Sequence, residues 1–265
     1  MTVETADRVH VNNTVVELFE NVGPIDWDDL PAAAELTQRL IREFAADKAL
    51  FRRLLLAVEH DPYLWAKCEE DVVEDKIVLW DDVEKGLRIR LRMSTDHQQQ
   101  LAHNHRFSFT NLVLRGTYLH RNYVARNGFD ENTLPDDVQP LMLHEDRAGE
   151  CFTIHHNALH STPFTELGTI SLVLRGNPVK DRAPVMFKEA RGREEALRRL
   201  TEGQAEGQAE GRGELSEIEP ETAEVGTMFW RVGEDRESAE RRAERQMTKE
   251  KYHFWCRRLE ELGII

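Results

Sequence analysis

The sequence predicts a mainly β protein, a barrel or sandwich of short strands with helical extensions at both ends. Three observations carry this. From about residue 76, apolar residues recur at every second position, most cleanly as Leu87, Ile89, Leu91 and Met93, with Arg88, Arg90 and Arg92 between them. Such runs are short and are punctuated at Gly116, Asn127-Gly128, Asn157 and Gly176. Before residue 62 and after residue 234, apolar residues instead recur at helical spacing.

Taken in order, Asp28, Asp29 and Pro31 mark a helix start, with the acids at the positive end of the helix dipole. Leu36, Leu40 and Phe44 form one face, and Phe51, Leu54, Leu55 and Val58 a second, with a phase break near Asp47. This predicts two helices, or one kinked helix, ending before Pro62 and capping the barrel, within a helical region over 1–75. A barrel region over 76–190 follows, with strands over Lys76–Trp80, Gly86–Met93, Arg106–Leu114, Thr117–Val124, Cys151–Ile154 and Thr169–Leu174. An internal echo, Leu112-Val113-Leu114-Arg115-Gly116 and Leu172-Val173-Leu174-Arg175-Gly176, is compatible with equivalent strand ends or with chance. Residues 191–226 read as a linker, with a Glu/Gly/Gln repeat too polar to bury a core. In the last region, 227–265, Met228-Phe229-Trp230 is apolar enough to dock. A long helix over Glu234–Leu262 then carries the stripe Met247, Tyr252, Trp255, Leu259 and Leu262.

Composition narrows the function. The chain has 265 residues, 40% of them hydrophobic and 32% charged, enough for a packed core. Its net charge of -14 argues against nucleic acid and against anionic membrane surfaces. No apolar run approaches the length of a membrane span, and Met1 to Asn13 is too polar for a signal peptide. Three cysteines, Cys68, Cys151 and Cys256, form no disulfide framework, and a reducing cytoplasm is the simplest location. Cys151 reads as an inert buried thiol.

The chemistry lies in two stretches. In His103-Asn104-His105 the imidazoles stand at i and i+2 of a predicted strand, so both can converge on one ion. A third ligand comes from Gly149-Glu150 through His155-His156-Asn157 to His160. This joint pattern resembles the cupin superfamily. His103 and His105 match its first motif, with Gly116 where that motif's glycine belongs. Gly149-Glu150 and His160 match the second motif, with His155 and Asn157 standing where proline and glycine are usual. The resemblance covers about residues 76–176 and implies a double-stranded β-helix, or jelly roll, with His103, His105 and His160 binding metal. Phe109 occupies the place of the family's glutamate ligand, and Thr110 beside it is a poor ligand. The pattern is therefore similar to the three-histidine branch that includes cysteine dioxygenase.

That branch implies a non-haem iron(II) oxygenase acting with dioxygen on a small polar, amino-acid-like substrate. Two alternatives remain open: a redox-neutral zinc, manganese or nickel cupin with lyase, isomerase or hydrolase chemistry, and a small-molecule-binding cupin without turnover. Tyr118 and His120 are candidate catalytic groups, although packing and a structural histidine are their plainer readings. Phe107, Phe109 and Arg90 are candidate substrate contacts, with Arg90 suited to a carboxylate if its face turns inward. The apolar Leu87, Ile89 and Leu91 face suits a barrel interior, which would put the arginines outside. Tyr123 could place a second phenol nearby. His155 and His156 occupy a turn, and His156 would replace a ligand if the register slips by a few residues. Barrel edges and the apolar end of the last helix make a homodimer the expected assembly.

Overall fold

The computed structural model of the chain describes residues 19, 21–71, 74–96, 101–126, 128–130, 133, 137–186, 215–216, 228–232 and 239–265. The expected region at 191–226 lies outside these residues except for Leu215–Ser216.

The N-terminal helices follow from their caps. Helix α1 (Leu30–Ala46) starts where the Asp29 side chain accepts the Ala32 N–H, with Pro31 in the first turn. Asp47 ends α1 and caps helix α2 (Lys48–Ala57), accepting the Leu50 N–H at 2.9 Å. The phase break at Asp47 is therefore a shared cap between two helices. A 3-10 turn over Val58–His60 leads to Asp61, which caps the short α3 (Pro62–Trp65).

Strands β1 (Glu74–Asp82), β2 (Leu87–Ser94), β3 (Ala102–His103), β4 (Phe109–Arg115), β5 (Thr117–Ala125) and β6 (Val138–Arg147) come next. They are followed by β7 (Cys151–Ile154), β8 (Leu159–Thr165), β9 (Ile170–Arg175), β10 (Arg182–Met186), β11 (Leu215–Ser216) and β12 (Met228–Val232). They form two antiparallel sheets, ordered β1-β2-β9-β4-β7 and β11-β12-β10-β3-β8-β5-β6. This is the mainly β jelly-roll barrel with terminal helices that the sequence predicts. The echoed segments are neighbours: β4 pairs antiparallel with β9, and Leu112 lies opposite Leu172. The two strands meet as partners within one sheet.

The first sheet is covered on both faces. Its outer face, with Ile77, Leu87, Ile89, Leu91, Met93, Leu112, Leu172 and Leu174, packs against Leu40, Ile41, Phe44, Phe51, Leu54 and Leu55 of α1 and α2. Thr110 also faces this layer, bonding Thr37 of α1 and Thr153 of β7. The inner face carries Arg88, Arg90 and Arg92, opposite Arg175, Val173 and Ser171 of β9. This reverses the expected orientation: the apolar face of β2 serves the helical layer, and the arginines turn into the barrel. They are tolerable there because carboxylates on β1 face them. Arg88 makes a bidentate pair with Asp81 at 3.0 Å and 3.0 Å, and Arg92 Nε donates to Glu74 at 2.7 Å.

The Glu74 pair predicts an acid dependence. Burial alone would raise the Glu74 pKa, but Arg92, Lys76 and Arg90 outweigh it and hold the carboxyl near 2, against an ordinary 4.5. A depressed carboxyl contributes stability above its unfolded pKa and loses it as pH falls toward the folded value. Between pH 4.5 and about 2 the unfolded chain gains a proton that the folded chain refuses. Denaturant midpoints should therefore fall steeply through that window for the native chain and less steeply for Glu74→Gln. Equal slopes would show that Glu74 is not the group responsible.

The C-terminal region departs from expectation twice. It opens with β12, which pairs with β10 (Pro184 opposite Trp230), so Met228-Phe229-Trp230 docks as a strand. The long helix is broken into α4 (Ala239–Glu244) and α5 (Lys249–Glu261). The break occurs because residues 245–247 pair their backbone with 68–70: Glu70 N donates to Arg245 O and Met247 N to Cys68 O. Thr248 then caps α5, accepting the Lys251 N–H. The stripe Met247, Tyr252, Trp255 and Leu259 is buried in the same core as α1 and α2, with Leu262 packed against it. The apolar end of this helix is therefore covered by its own chain. All three cysteines are free, and burial pushes their thiols up, Cys68 to about 12, Cys151 and Cys256 to about 11. Cys151 packs on the helical side of the sheet.

Candidate metal centre

The chain changes sheets between β3 and β4, and the site is built at that corner. His103 ends β3 and lies opposite His160 of β8. His105 is beyond the strand, held by its backbone N–H on His156 O at 3.1 Å. The expected continuous strand over Arg106–Leu114 begins only at Phe109, because Arg106 O accepts Val179 N and Ser108 O accepts Gly176 N. The i, i+2 geometry of one strand therefore does not apply, yet the two imidazoles still converge.

His103, His105 and His160 each offer a ring nitrogen, all within 4.8 Å of one another. Ring centroids are 4.7–4.8 Å apart for each pair. His103 and His160 are buried, and His105 is half-buried. The outward hydrogen bonds fix the tautomers. Leu101 O can only accept, so His103 Nδ1, 2.7 Å away, carries the proton and Nε2 keeps its lone pair. The Asp146 carboxylate takes His120 Nδ1–H at 2.9 Å, which in the neutral ring leaves Nε2 as an acceptor. His160 Nδ1 donates to it at 2.7 Å, so His160 Nε2 is also a lone pair. His105 Nε2 lies 2.6 Å from His160 Nε2. Nitrogens that close repel unless a proton from His105 or a cation lies between them. Three neutral imidazoles of this kind fit iron, zinc, copper or nickel.

The other predicted residues take these places. Phe109, where a glutamate ligand would stand, sets its ring against His105 at 4.8 Å. Phe107 is 6.1 Å from His105 and 6.5 Å from Phe109. Arg90 lies over Phe107, its guanidinium carbon 5.8 Å from the ring centroid, with that of Arg175 at 4.3 Å. Tyr118 is buried, and burial raises its pKa; its hydroxyl shares a hydrogen bond with Ser171 at 3.1 Å. Among the described residues, its hydroxyl partner is Ser171 rather than any of the three histidines. His120 touches His160 rather than the space between the three rings. Tyr123 packs with Ala102, Val138 and Leu159, and its hydroxyl meets Ser161.

His155 and His156 form a second group with Asp28. His155 Nδ1 accepts the Asn157 N–H, so its Nε2–H is the donor to Asp28 at 3.2 Å. Ser108 Oγ accepts the His156 N–H and shares a second hydrogen bond with His156 Nδ1 at 3.1 Å. His156 therefore groups with Asp28 and His155, apart from the rings of His103, His105 and His160. Burial lowers the His156 pKa, and it lowers that of Lys180, whose ammonium donates to His156 O, to about 8.

Sequence reasoning missed His144, Asp146 and Arg175. The first two sit on β6, where Pro140 and the charged run Glu145-Asp146-Arg147 conceal a strand. Arg175 did carry a signal, as the counterpart of Arg115 in the echo.

No protein-family model and no curated protein matches the sequence. Among solved structures, the chain is similar to an RmlC-like cupin from Shewanella frigidimarina, at 15% identity and a TM-score of 0.32, over 43% of this chain and 86% of that one. It is similar to KdgF from Halomonas sp. at 14% identity and a TM-score of 0.30, over 43% of this chain and 87% of that one. Oxalate oxidase is a third, at 17% identity and a TM-score of 0.28, over 38% of this chain and 51% of that one.

Proposed function

We propose that the chain is a metal-dependent cupin enzyme, an iron(II) oxygenase that acts with dioxygen on a small polar substrate. The observation that supports this is the convergence of the His103, His105 and His160 rings, with the Nε2 lone pairs of His103 and His160 fixed by Leu101 O and His120. When bound, iron(II) would supply the one-electron chemistry that dioxygen needs to react with an ordinary organic molecule. The protein's own residues do the rest. Three neutral ligands leave the charge of the ion uncompensated, which favours a substrate bearing an anionic or lone-pair group. Phe109 removes the carboxylate that would neutralise it. Phe107 and Phe109 wall one side with apolar rings and restrict water there. Arg90 and Arg175, stacked on Phe107, bring positive charge to that wall, where an acidic group of the substrate would lie.

The test begins with plasma mass spectrometry on protein purified without added metal. Iron at about one ion per chain, followed by substrate-dependent oxygen uptake in a screen of small amino and carboxylic acids, is the expected result. Zinc, manganese or nickel with turnover that persists without oxygen would replace this reading by a redox-neutral one. Metal-free protein that stays so after anaerobic iron(II) reconstitution would leave only a binding role.

A further inference from the structure

A carboxylate and two imidazoles stand behind the metal ligands in an arrangement that barrel packing does not require. The β5–β6 pairing sets His120 opposite His144 and Tyr118 opposite Asp146. Asp146 is 5% exposed, and a carboxylate that deep is costly unless its oxygens are satisfied. Each oxygen meets one imidazole: Oδ2 is 2.9 Å from His120 Nδ1, and Oδ1 is 3.2 Å from His144 Nε2. The His144 ring stacks on His120 at 5.0 Å, with its side chain 32% exposed at the outer end of the chain of contacts. At the inner end, His120 Nε2 receives His160 Nδ1–H.

We propose that Asp146, His120 and His144 are positioning residues that set the affinity of the metal centre through His160. This rests on the metal-centre reading above. The charge of Asp146 draws the His120 proton to Nδ1. His120 Nε2 is then an acceptor, which holds the proton of His160 on Nδ1 and makes its Nε2 a more basic ligand with a fixed ring plane. His144 ties the second carboxylate oxygen, so Asp146 cannot swing away from His120. The β5–β6 hairpin thereby supports a ligand borne by β8, its neighbour in the sheet.

The experiment measures zinc(II) binding to the full chain by competition with a chromophoric chelator, and the visible spectrum of the cobalt(II)-substituted protein as a readout of the ligand field. His120→Phe keeps a ring of similar size and removes both hydrogen bonds. Asp146→Asn keeps the shape and removes the charge. Both are expected to weaken zinc binding by roughly 10- to 100-fold and to shift the cobalt bands. His120→Gln, whose amide oxygen can accept from His160 Nδ1, should recover part of the loss. His144→Gln, at the most exposed position, should show the smallest effect. Should His120→Phe not fold, Asp146→Asn and His120→Gln decide, with far-UV circular dichroism of the metal-free proteins as the control for structure. Wild-type affinity and cobalt spectrum in folded Asp146→Asn would overturn the proposal and leave the metal centre standing. Two ions per chain, with only one lost in Asp146→Asn, would also overturn it and make the cluster a second metal site. A native chain that binds no divalent ion would remove both readings.

Discussion

His105→Ala is expected to lose metal binding while keeping its fold. His105 stands outside the regular strands and is half-buried, and the bond that anchors it runs from its backbone N–H to His156 O. Alanine retains that bond. What disappears is one of three ring nitrogens, and no carboxylate can take its place, because Phe109 occupies the neighbouring position. Structural zinc sites bind with about 10–16 kcal/mol spread over their ligands, so one imidazole is worth about 3 kcal/mol, or a hundredfold or more in affinity. Metal content after dialysis should fall from about one ion per chain to a few per cent of that. His103→Ala and His160→Ala should behave alike, although each also orphans a partner, Leu101 O or His120. Full occupancy in folded His105→Ala would remove it from the ligand set.

Gly116→Val is expected to give a large loss of stability. Gly116 turns the chain from β4 into β5 with φ at +78°, a left-handed conformation that a β-branched residue resists. A Cβ there would also stand 2.3 Å from Thr169 Oγ1 and 2.8 Å from Thr169 Cα. The second contact is backbone, and Thr169 is fully buried with its hydroxyl accepting the Thr117 N–H, so it cannot step aside. Backbone strain of about 1–3 kcal/mol and overpacking of about 1–3 kcal/mol together predict a loss of roughly 4 kcal/mol. In a chain of this size that lowers the melting temperature by roughly 10 °C. Gly128→Ala is the control: its φ is +89°, but nothing lies within 4 Å of an added Cβ, so only the conformational cost of about 1–2 kcal/mol remains. Comparable losses in the two variants would show that contact with Thr169 is unimportant.

The features legible in the sequence are those written locally. Asp29 marks a helix start and Asp47 a phase break because a cap involves residues only two or three positions apart, whereas the start at Asp61 is a finding of the structure. The histidines of the metal centre are recognisable because their spacing and flanking glycines mark turns and strand ends. Three features are illegible for one physical reason, that a distant segment decides them. The inward face of β2 depends on a helical layer that takes its leucines and on carboxylates of β1 that receive its arginines. The break before α5 depends on residues 68–70 needing a backbone partner. Strand β6 is an edge strand that leaves Leu141, Met142 and Leu143 exposed, so its pattern lacks the alternation that burial of one face imposes.

Strand β12 gives the barrel a timetable. As a chain is synthesised, β3, β8 and β10 emerge in turn, and with them His103, His105 and His160. The free side of β10 must then wait for Met228–Val232, beyond the stretch from 187 to 227. Through that interval the sheet bearing two of the ligands has an unpaired edge, the feature most prone to join another nascent chain. A longer stretch between β10 and β12 keeps that edge open for longer during synthesis.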